Sequence, residues 1–231
     1  MAIQEYVSEA RRLNELEFEI YFGFPVDEKE KGEFEACYDK LVEVAKQHIE
    51  QHIRSRPQRS KGYINIWAVH PSSEEIDNGK RPKQIRKLLN SVRKDRNECR
   101  SILVSDAVDY IINDYRFLKE GLFDGVVLTE YNEGKPLALS DLDPFKDAEL
   151  NLIGGCYVGM CLDTFAEVLR EAFPDTKIKI IKKWSYDPRK LTLEEKFYRI
   201  IYSLAPSLLR NKLPEPRILP EEIFVPRGTF G

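Results

Sequence analysis

The chain has 231 residues, of which 42% are hydrophobic and 32% are charged, a balance typical of a globular protein with a sizeable core. This composition excludes collagen-like, coiled-coil and intrinsically disordered chains. The formal net charge of -3 excludes a protein that coats nucleic acid or membrane with its whole surface.

Neither cysteine pairing nor membrane insertion is predicted. The four cysteines are irregularly spaced and form no CxxC pair, so we expect no disulfide scaffold and no zinc or redox site of that type. The N-terminal segment lacks the apolar core of an export signal, and no apolar run reaches membrane-spanning length. We therefore expect a cytoplasmic protein without membrane contact, with one α/β domain over residues 1–209.

The first half of the chain alternates predicted strands and helices. A β-branched and aromatic run predicts a strand over residues 16–24, which Pro25 ends. Apolar residues at helical spacing predict a helix over 33–54, and a strand follows over 63–69. The segment 82–94 predicts a basic helix.

The second half continues this alternation. Its predicted strands are 101–106, 125–131, 149–155 and 177–184, and its predicted helices are 107–118 and 157–173. Parallel strands need crossover helices, so the pattern predicts a three-layer, doubly wound α/β fold with a mainly parallel, Rossmann-like sheet. Because ligands of such folds bind beyond the carboxyl ends of the strands, we expect functional residues at the strand-to-helix turns.

The last 22 residues, 210–231, differ in kind from the rest. Four prolines alternate there with isoleucine, valine and phenylalanine, which excludes a helix and is too apolar for a solvated tail. The segment predicts an extended Pro-rich arm. The arm either covers its own domain or reaches a second subunit, and the second arrangement would make the protein a homo-oligomer.

The turn after the strand at 149–155 carries the clearest chemical signal. Two glycines end the strand, and Cys161 lies near the start of the next helix. Glycines permit a tight turn, and the amides and dipole of a helix N-terminus lower the pKa of a thiol, which makes it a nucleophile. A buried cysteine also serves as small hydrophobic filling, so both interpretations stay open.

The segment IGGCYVGMCLDT resembles the isochorismatase-like cysteine hydrolases, in which the catalytic cysteine follows a strand-end glycine at the spacing of Gly155 and Cys161. Tyr157 is similar to the aromatic residue that isochorismatases have at this place. Upstream, KEGLFDGVVLT, which begins at Lys119, looks like the lysine motif of the family. The likeness covers roughly residues 16–187 and implies an isochorismatase-like fold.

The resemblance implies hydrolysis of a small amide-type (C–N) substrate without a cofactor. Asp27, which follows the predicted first strand, would take the thiol proton of Cys161, although the usual aspartate, apolar residue, glutamine pattern is missing. Lys119 would hold the thiolate by charge, and the backbone amides of Tyr157 and Cys161 would bind the oxyanion. Some family members instead protonate a vinyl ether with the aspartate. The zinc ligands of nicotinamidases are absent apart from His70, so no metal is expected.

A second candidate is the stretch 54–100, which holds 13 basic and five acidic residues. Such a density can neutralise phosphates of nucleic acid or of a phosphorylated partner, and the alternative is a solvated helix face. Aromatic residues that could stack on bases are scarce in this stretch, which favours simple phosphate attraction. The candidate phosphate- or nucleic-acid-binding residues are Lys80, Arg81, Lys83, Arg86, Lys87, Arg93 and Lys94.

Two further patterns could bind metal. His48 and His52 are four apart on one side of a predicted helix, but no third ligand is identifiable, so we expect ordinary histidines. Asp106, Asp109 and Asp114 could indicate a two-metal nuclease. The last two lie on a predicted helix rather than on adjacent strands, so their spacing argues against convergence.

Overall fold

A computed structural model describes residues 3–21, 28–54, 64–72, 82–94, 98–131 and 133–187. Within this chain, Met1–Tyr186 form one compact unit. The predicted domain end at residue 209 and the Pro-rich arm over 210–231 lie outside the described residues. The homo-oligomer that the arm suggests therefore stays a prediction.

Five parallel strands form a single sheet. They are β1 (Ile64–Val69), β2 (Cys99–Asp106), β3 (Gly125–Thr129), β4 (Leu150–Cys156) and β5 (Lys177–Tyr186), and their order across the sheet is β3-β2-β1-β4-β5. The chain moves outward from β1 in one direction and then returns to build β4 and β5 on the other side. The loops beyond β1 and β4 therefore leave the sheet where the strand order reverses, which is a common place for ligands in α/β folds.

Six α-helices, two 3₁₀ segments and a π-helical segment accompany the sheet in the described residues. The α-helices are α1 (Val7–Tyr21), α2 (Glu28–Arg54), α3 (Lys83–Lys94), α4 (Ala107–Asp109), α5 (Tyr115–Lys119) and α6 (Cys161–Ala172). The 3₁₀ segments are Ile3–Tyr6 and Leu139–Phe145, and the π-helical segment Tyr110–Asp114 joins α4 to α5. Among the described residues, no helix combines the length and the apolar content needed to cross a membrane.

Helices cover both faces of the sheet. Leu88 of α3 lies against Gly154 of β4, 3.3 Å from the place that a Cβ would take there. On the opposite face, Trp67 of β1 packs on Phe165 of α6, with ring centroids 5.3 Å apart. Gly154 is paired with Ala68, and neighbouring residues of a strand point to opposite faces. The predicted α/β architecture, with a parallel sheet between helices, is confirmed.

The predicted strand over 16–24 is wrong where it can be compared, because residues 16–21 belong to helix α1. The β-branched and aromatic residues of LEFEIYFGF suggested a strand. The helix that begins at Val7 instead continues through this segment, with Ala10 and Leu13 buried at helical spacing. Leucine and glutamate are strong helix formers, and extending an existing helix costs little.

The other predicted elements are confirmed with shifts of a few residues at their ends. They are the strands at 63–69, 101–106, 125–131, 149–155 and 177–184, and the helices at 33–54, 82–94, 107–118 and 157–173. The largest difference is inside the helix predicted over 107–118, whose middle turn is π-helical.

Candidate functional sites

A buried cluster of ionisable side chains lies where β1 and β2 end. Val69 is the last residue of β1 and pairs with Val104 of β2, and the backbone N–H of His70 donates to the carbonyl of Val104 over 2.7 Å. His70 therefore comes to lie beside Asp106, the last residue of β2. The two strand-end residues meet because parallel neighbours finish at the same edge of the sheet.

His70 faces two carboxylates. Its Nδ1 atom is 3.7 Å from Oδ2 of Asp106 and 3.7 Å from Oδ2 of Asp109. One donor atom from each of the three residues lies within 4.8 Å of the others. Burial by itself lowers the pKa of His70, but its interaction with Asp109 and the charge of Asp106 outweigh burial and raise it. We call these residues, with Asp114, the carboxylate–histidine cluster.

Asp114 joins the cluster through the π-helical segment. The N–H of Tyr115 donates to the carbonyl of Tyr110, five residues earlier. Because π-helical hydrogen bonds span five residues, residues five apart such as Asp109 and Asp114 come to one side of the helix. Burial, above all, and the charge of Asp109 raise the pKa of Asp114 to about 7, an effect that hydroxyl groups of Ser72 and Ser105 partly offset.

The sequence hypothesis placed the nucleophile at Cys161, and the structure puts this residue beyond the carboxyl end of β4, as the first residue of α6. The strand-end glycine before it is required by close approach, since a Cβ at Gly155, where φ is +135°, would lie 1.9 Å from the carbonyl oxygen of Val69. Cys161 is 7% exposed and packs with Leu162 and Phe165 in the apolar core. Both interpretations of this cysteine thus remain compatible with its position.

Lys119 lies at the opposite end of the sheet from Cys161. It ends α5, and the following strand β3 begins at Gly125, which pairs with Ile102 in the middle of β2. A helix that links parallel strands returns from their carboxyl ends to their amino ends, a separation on the order of 15 Å here. The structure therefore does not bring Lys119 to the thiol, and its Nζ lies 5.2 Å from the centroid of the Tyr115 ring.

The remaining part of the predicted catalytic set is Asp27, which lies outside the described residues. Its selection depended on a strand over 16–24, and residues 16–21 are helical instead. Tyr157, the other predicted oxyanion residue, lies in the turn between β4 and α6, where its carbonyl accepts from the N–H groups of Met160 and Leu162.

His48 and His52 are ordinary helix residues in this structure. Their rings stack with centroids 4.0 Å apart, His48 Nδ1 lies 2.8 Å from the hydroxyl of Tyr110, and His52 Nδ1 lies 2.8 Å from the carbonyl of His48. Burial, followed by the charges of His52 and Lys119, lowers the pKa of His48 to about 4. These contacts fit a packed and neutral imidazole.

The predicted basic stretch is described only in part, and Lys80 and Arg81 lie outside the described residues. Arg100 is half-buried and has a structural role, because its guanidinium donates to Asn65 and to the carbonyl groups of Pro144 and Phe145. Arg93 lies 3.6 Å from a carboxylate oxygen of Glu120. Helix α3 turns Ile85, Leu88, Leu89 and Val92 inward, which leaves its basic residues on the outside.

Strand β5 extends this basic face. Ile178 and Ile180 pack toward the core beside α6, so Lys177 and Lys179 point to the face on which α3 lies. Helix α3 packs directly on β5. We define the α3–β5 surface as the exposed bases on this face, apart from Arg93, which lies next to Glu120: Lys83, Arg86, Lys87 and Lys94 of α3, with Lys177 and Lys179 of β5.

Comparisons with known proteins do not identify either site, since no family model, no curated protein and no solved structure matches the chain.

Proposed function

We propose that the protein binds nucleic acid through the α3–β5 surface, with the phosphate backbone as the main contact. The observation that carries this proposal is the set of six exposed bases on two packed elements that contain no aspartate or glutamate. Within the part of the chain that the structure describes, none of the six forms a salt bridge. Their charges are therefore available to an anionic partner.

The shape of the surface favours a polymer over a single phosphorylated side chain. A helix of the length of α3 is about 18 Å long, and its bases are spread along it rather than gathered around one point. A nucleic-acid backbone presents a phosphate at every step, so several bases can each neutralise one phosphate. Trp184 and Tyr186, the aromatic residues of these elements that could stack on bases, are buried. We therefore expect binding with little sequence preference.

The lysines of β5 can also have a structural role. Strand β5 lies at the edge of the sheet, and charges on an edge strand prevent sheets from joining edge to edge. The α3 charges have no such role, so the test is made on the helix. The combined variant Lys83→Gln, Arg86→Gln and Lys87→Gln removes three exposed charges and leaves the inward residues of α3 unchanged.

Fluorescence anisotropy with a labelled duplex and a labelled single strand measures the effect. We expect wild-type affinity to fall at least about tenfold between 50 and 200 mM salt, and the variant to bind about tenfold or more weakly with a shallower salt slope. The matched control replaces three exposed bases elsewhere, Arg11, Lys146 and Arg170, by glutamine and should bind as wild type. Affinity that does not change with salt, or equal losses in both triple variants, would contradict the proposal.

A second function is favoured by the position of Cys161 at the start of α6. Hydrolysis of a small amide-type substrate would use this thiol as nucleophile, with the amides of the helix N-terminus in place of the distant Lys119. Alkylation with iodoacetamide between pH 6 and 9, read by peptide mass spectrometry, should then label Cys161 faster than Cys37 and Cys99 below pH 8. Slow labelling of Cys161 with faster labelling of the other two would exclude this function.

A further inference from the structure

Neither proposed function uses the carboxylate–histidine cluster. We propose that this cluster binds one divalent cation of the Mn²⁺ or Zn²⁺ type, with Nδ1 of His70 and one carboxylate oxygen each from Asp106 and Asp109 as ligands. This inference does not depend on nucleic-acid binding. It rests on the orientation of His70, on the spacing of the donor atoms and on two buried polar atoms beside them.

The orientation of His70 prepares Nδ1 as a ligand. Its Nε2 lies 3.0 Å from the backbone carbonyl of Glu133. A carbonyl oxygen only accepts, so Nε2 carries a proton and donates. Nδ1 is the ring nitrogen that faces Asp106 and Asp109, and a cation that binds there would displace the proton from Nδ1. Metal-binding histidines in proteins are held in this way, with the second ring nitrogen donating to a carbonyl or a carboxylate.

The local backbone also holds His70 in place. Its φ of +44° lies in the left-handed region, which non-glycine residues rarely adopt. Such conformations cost about 1–3 kcal/mol and persist where the surrounding structure determines them, often at ligand sites. The turn thus directs the imidazole back toward the end of β2.

The two oxygens of Asp106 have different roles. Oδ1 accepts from the N–H groups of Val108 and Asp109, over 2.9 and 2.8 Å, and so caps helix α4. Oδ2 is the oxygen on the side of His70, at 3.7 Å from Nδ1. This capping fixes the position of the second oxygen, Oδ2.

The spacing of the donor atoms suits an ion between them. Distances of 3.7 Å from Nδ1 to each carboxylate are too long for good hydrogen bonds. Ligands that each lie about 2.0–2.2 Å from a metal ion are about 3–4 Å apart, depending on the angle at the metal. The three donors within 4.8 Å of one another need only a small contraction to reach this geometry.

Two buried polar atoms beside these donors, Oδ1 of Asp114 and Oγ of Ser72, lack a hydrogen bond of good geometry among the described residues. Asp114 is fully buried and Ser72 is 2% exposed. The other oxygen of Asp114 accepts from Ser105 over 2.8 Å, and the Ser72 hydroxyl also acts on the carboxylate, since it offsets part of the rise in its pKa. Buried polar atoms with poor hydrogen bonds are costly, and a bound cation with its coordinated water would give both better partners.

The donor set selects the class of cation. One imidazole and two carboxylates, with a third carboxylate next to them, combine borderline and hard ligands. Ca²⁺ and Mg²⁺ prefer oxygen donors and bind imidazole nitrogen weakly, whereas Mn²⁺ and Zn²⁺ bind both nitrogen and oxygen donors. We therefore expect Mn²⁺ and Zn²⁺ to bind more tightly than Mg²⁺.

Isothermal titration of the full chain, freed of metal with a chelator, tests the site with Mn²⁺, Zn²⁺ and Mg²⁺ in turn. The expected result is one Mn²⁺ or Zn²⁺ per chain, bound more tightly than about 1 mM, together with a higher melting temperature. Asp109→Asn should weaken binding at least about tenfold, while Asp143→Asn, at an exposed acidic residue of the 3₁₀ segment, should bind as wild type.

His70→Asn provides a second test, because asparagine tolerates positive φ and the variant should fold even if Asp109→Asn does not. Circular dichroism of the metal-free proteins confirms that each variant is folded. Folded wild-type protein that binds neither Mn²⁺ nor Zn²⁺, or unchanged binding in both ligand variants, would overturn the site. The triple α3 variant should bind Mn²⁺ normally, which separates failure of this site from failure of the nucleic-acid surface.

Discussion

Two buried polar clusters lie at opposite ends of strand β1, and they differ in how completely their atoms are paired. At the amino end, Asn65 of β1 and Asn151 of β4 are register partners, and the Asn65 amide donates to Asn151 over 2.9 Å. Trp67 donates to the same oxygen of Asn151 over 2.8 Å, and Arg100 donates to Asn65 over 3.0 Å. At the carboxyl end, Oδ1 of Asp114 in the carboxylate–histidine cluster and Oγ of the neighbouring Ser72 lack a hydrogen bond of good geometry among the described residues.

This difference separates a structural role from a functional one. The amino-end network pairs buried donors with buried acceptors, so it stabilises one arrangement of β1 and β4 and needs nothing further. The carboxyl-end cluster gathers carboxylates that repel one another and leaves Oδ1 of Asp114 without a good hydrogen bond among the described residues, which costs free energy unless a ligand compensates. We therefore expect substitutions to have opposite effects at the two ends.

The largest effect should come from Gly155, where β4 meets β1 at the carboxyl end. In Gly155→Ala, the added Cβ would collide with the carbonyl of Val69 and the residue would keep an unfavourable φ of +135°. We expect a loss of more than about 4 kcal/mol in the free energy of unfolding, enough to prevent folding of many domains.

Gly32→Ala is the control for that change, because nothing lies within 4 Å of a Cβ at this position in α2. It should stabilise the protein by about 0.5–1 kcal/mol, since alanine favours a helix more than glycine does. Urea unfolding measures both variants. A Gly155→Ala protein of wild-type stability would show that β4 can move away from β1.

The second largest effect on the free energy of unfolding should come from loss of the amino-end network. Asn151→Ala removes the acceptor of the Trp67 indole N–H and of one Asn65 amide hydrogen, both in the buried core. We expect the free energy of unfolding to fall by about 2–4 kcal/mol, because a buried donor is left unpaired. Asn90→Ala, on the exposed side of α3, should change it by less than about 0.5 kcal/mol. A loss below that of Asn90→Ala would mean that the network is not structural.

The corresponding change at the carboxyl end should have the opposite sign. Asp114→Asn keeps an acceptor for Ser105 and removes a buried charge beside Asp109. In metal-free protein at pH 8, we expect the free energy of unfolding to rise by about 1 kcal/mol. Urea unfolding with and without Mn²⁺ measures this change. Clear destabilisation of the metal-free protein would indicate that Asp114 belongs to a satisfied network like that of Asn151.

The smallest effect on the free energy of unfolding is expected from His48, a buried histidine that is hydrogen-bonded and belongs to neither cluster. Its pKa in the folded protein is lowered from 6.5 to about 4, chiefly by burial. Between these values the unfolded chain binds a proton that the folded protein does not, so stability from this group is present above pH 6.5 and is lost as the pH falls toward 4.

Unfolding free energies of wild type and His48→Gln, measured from pH 7 to pH 4, test this sign. The variant should lose less stability on acidification than wild type, whereas Asn90→Ala should keep the wild-type slope. Equal slopes in wild type and His48→Gln would show that the imidazole takes up its proton without cost in the folded protein.

Much of the fold follows from the sequence pattern. The inner strands of the sheet appear as short apolar runs such as INIWAV and SILVSD, and β1, β2 and β4 are each followed by a segment with apolar residues at helical spacing. Such runs are visible in the sequence because the inner strands of a parallel sheet are buried on both faces. The error at residues 16–21 arose because aromatic and β-branched residues, which favour strands, lie there within a longer helix.

The candidate sites were predictable only in part. The outward basic face of α3 follows from helical periodicity, since its apolar residues recur on one side. The lysines of β5 join it only because strand order places β5 against α3. Lys119 looked like a partner of Cys161 along the chain, but the crossover connection puts it at the other end of the sheet.

The sequence by itself determined the alternation of strands and helices, the glycine before the Cys161 turn and the charge of α3, because these are properties of neighbouring residues. Only the tertiary structure decided that His70 meets Asp106, since that contact depends on β1 and β2 being adjacent and in register. It also decided that Asp114 joins them. An α-helix would turn Asp109 and Asp114 to different sides, and the π-helical turn between them, held by its packing, brings both to the same end of the sheet.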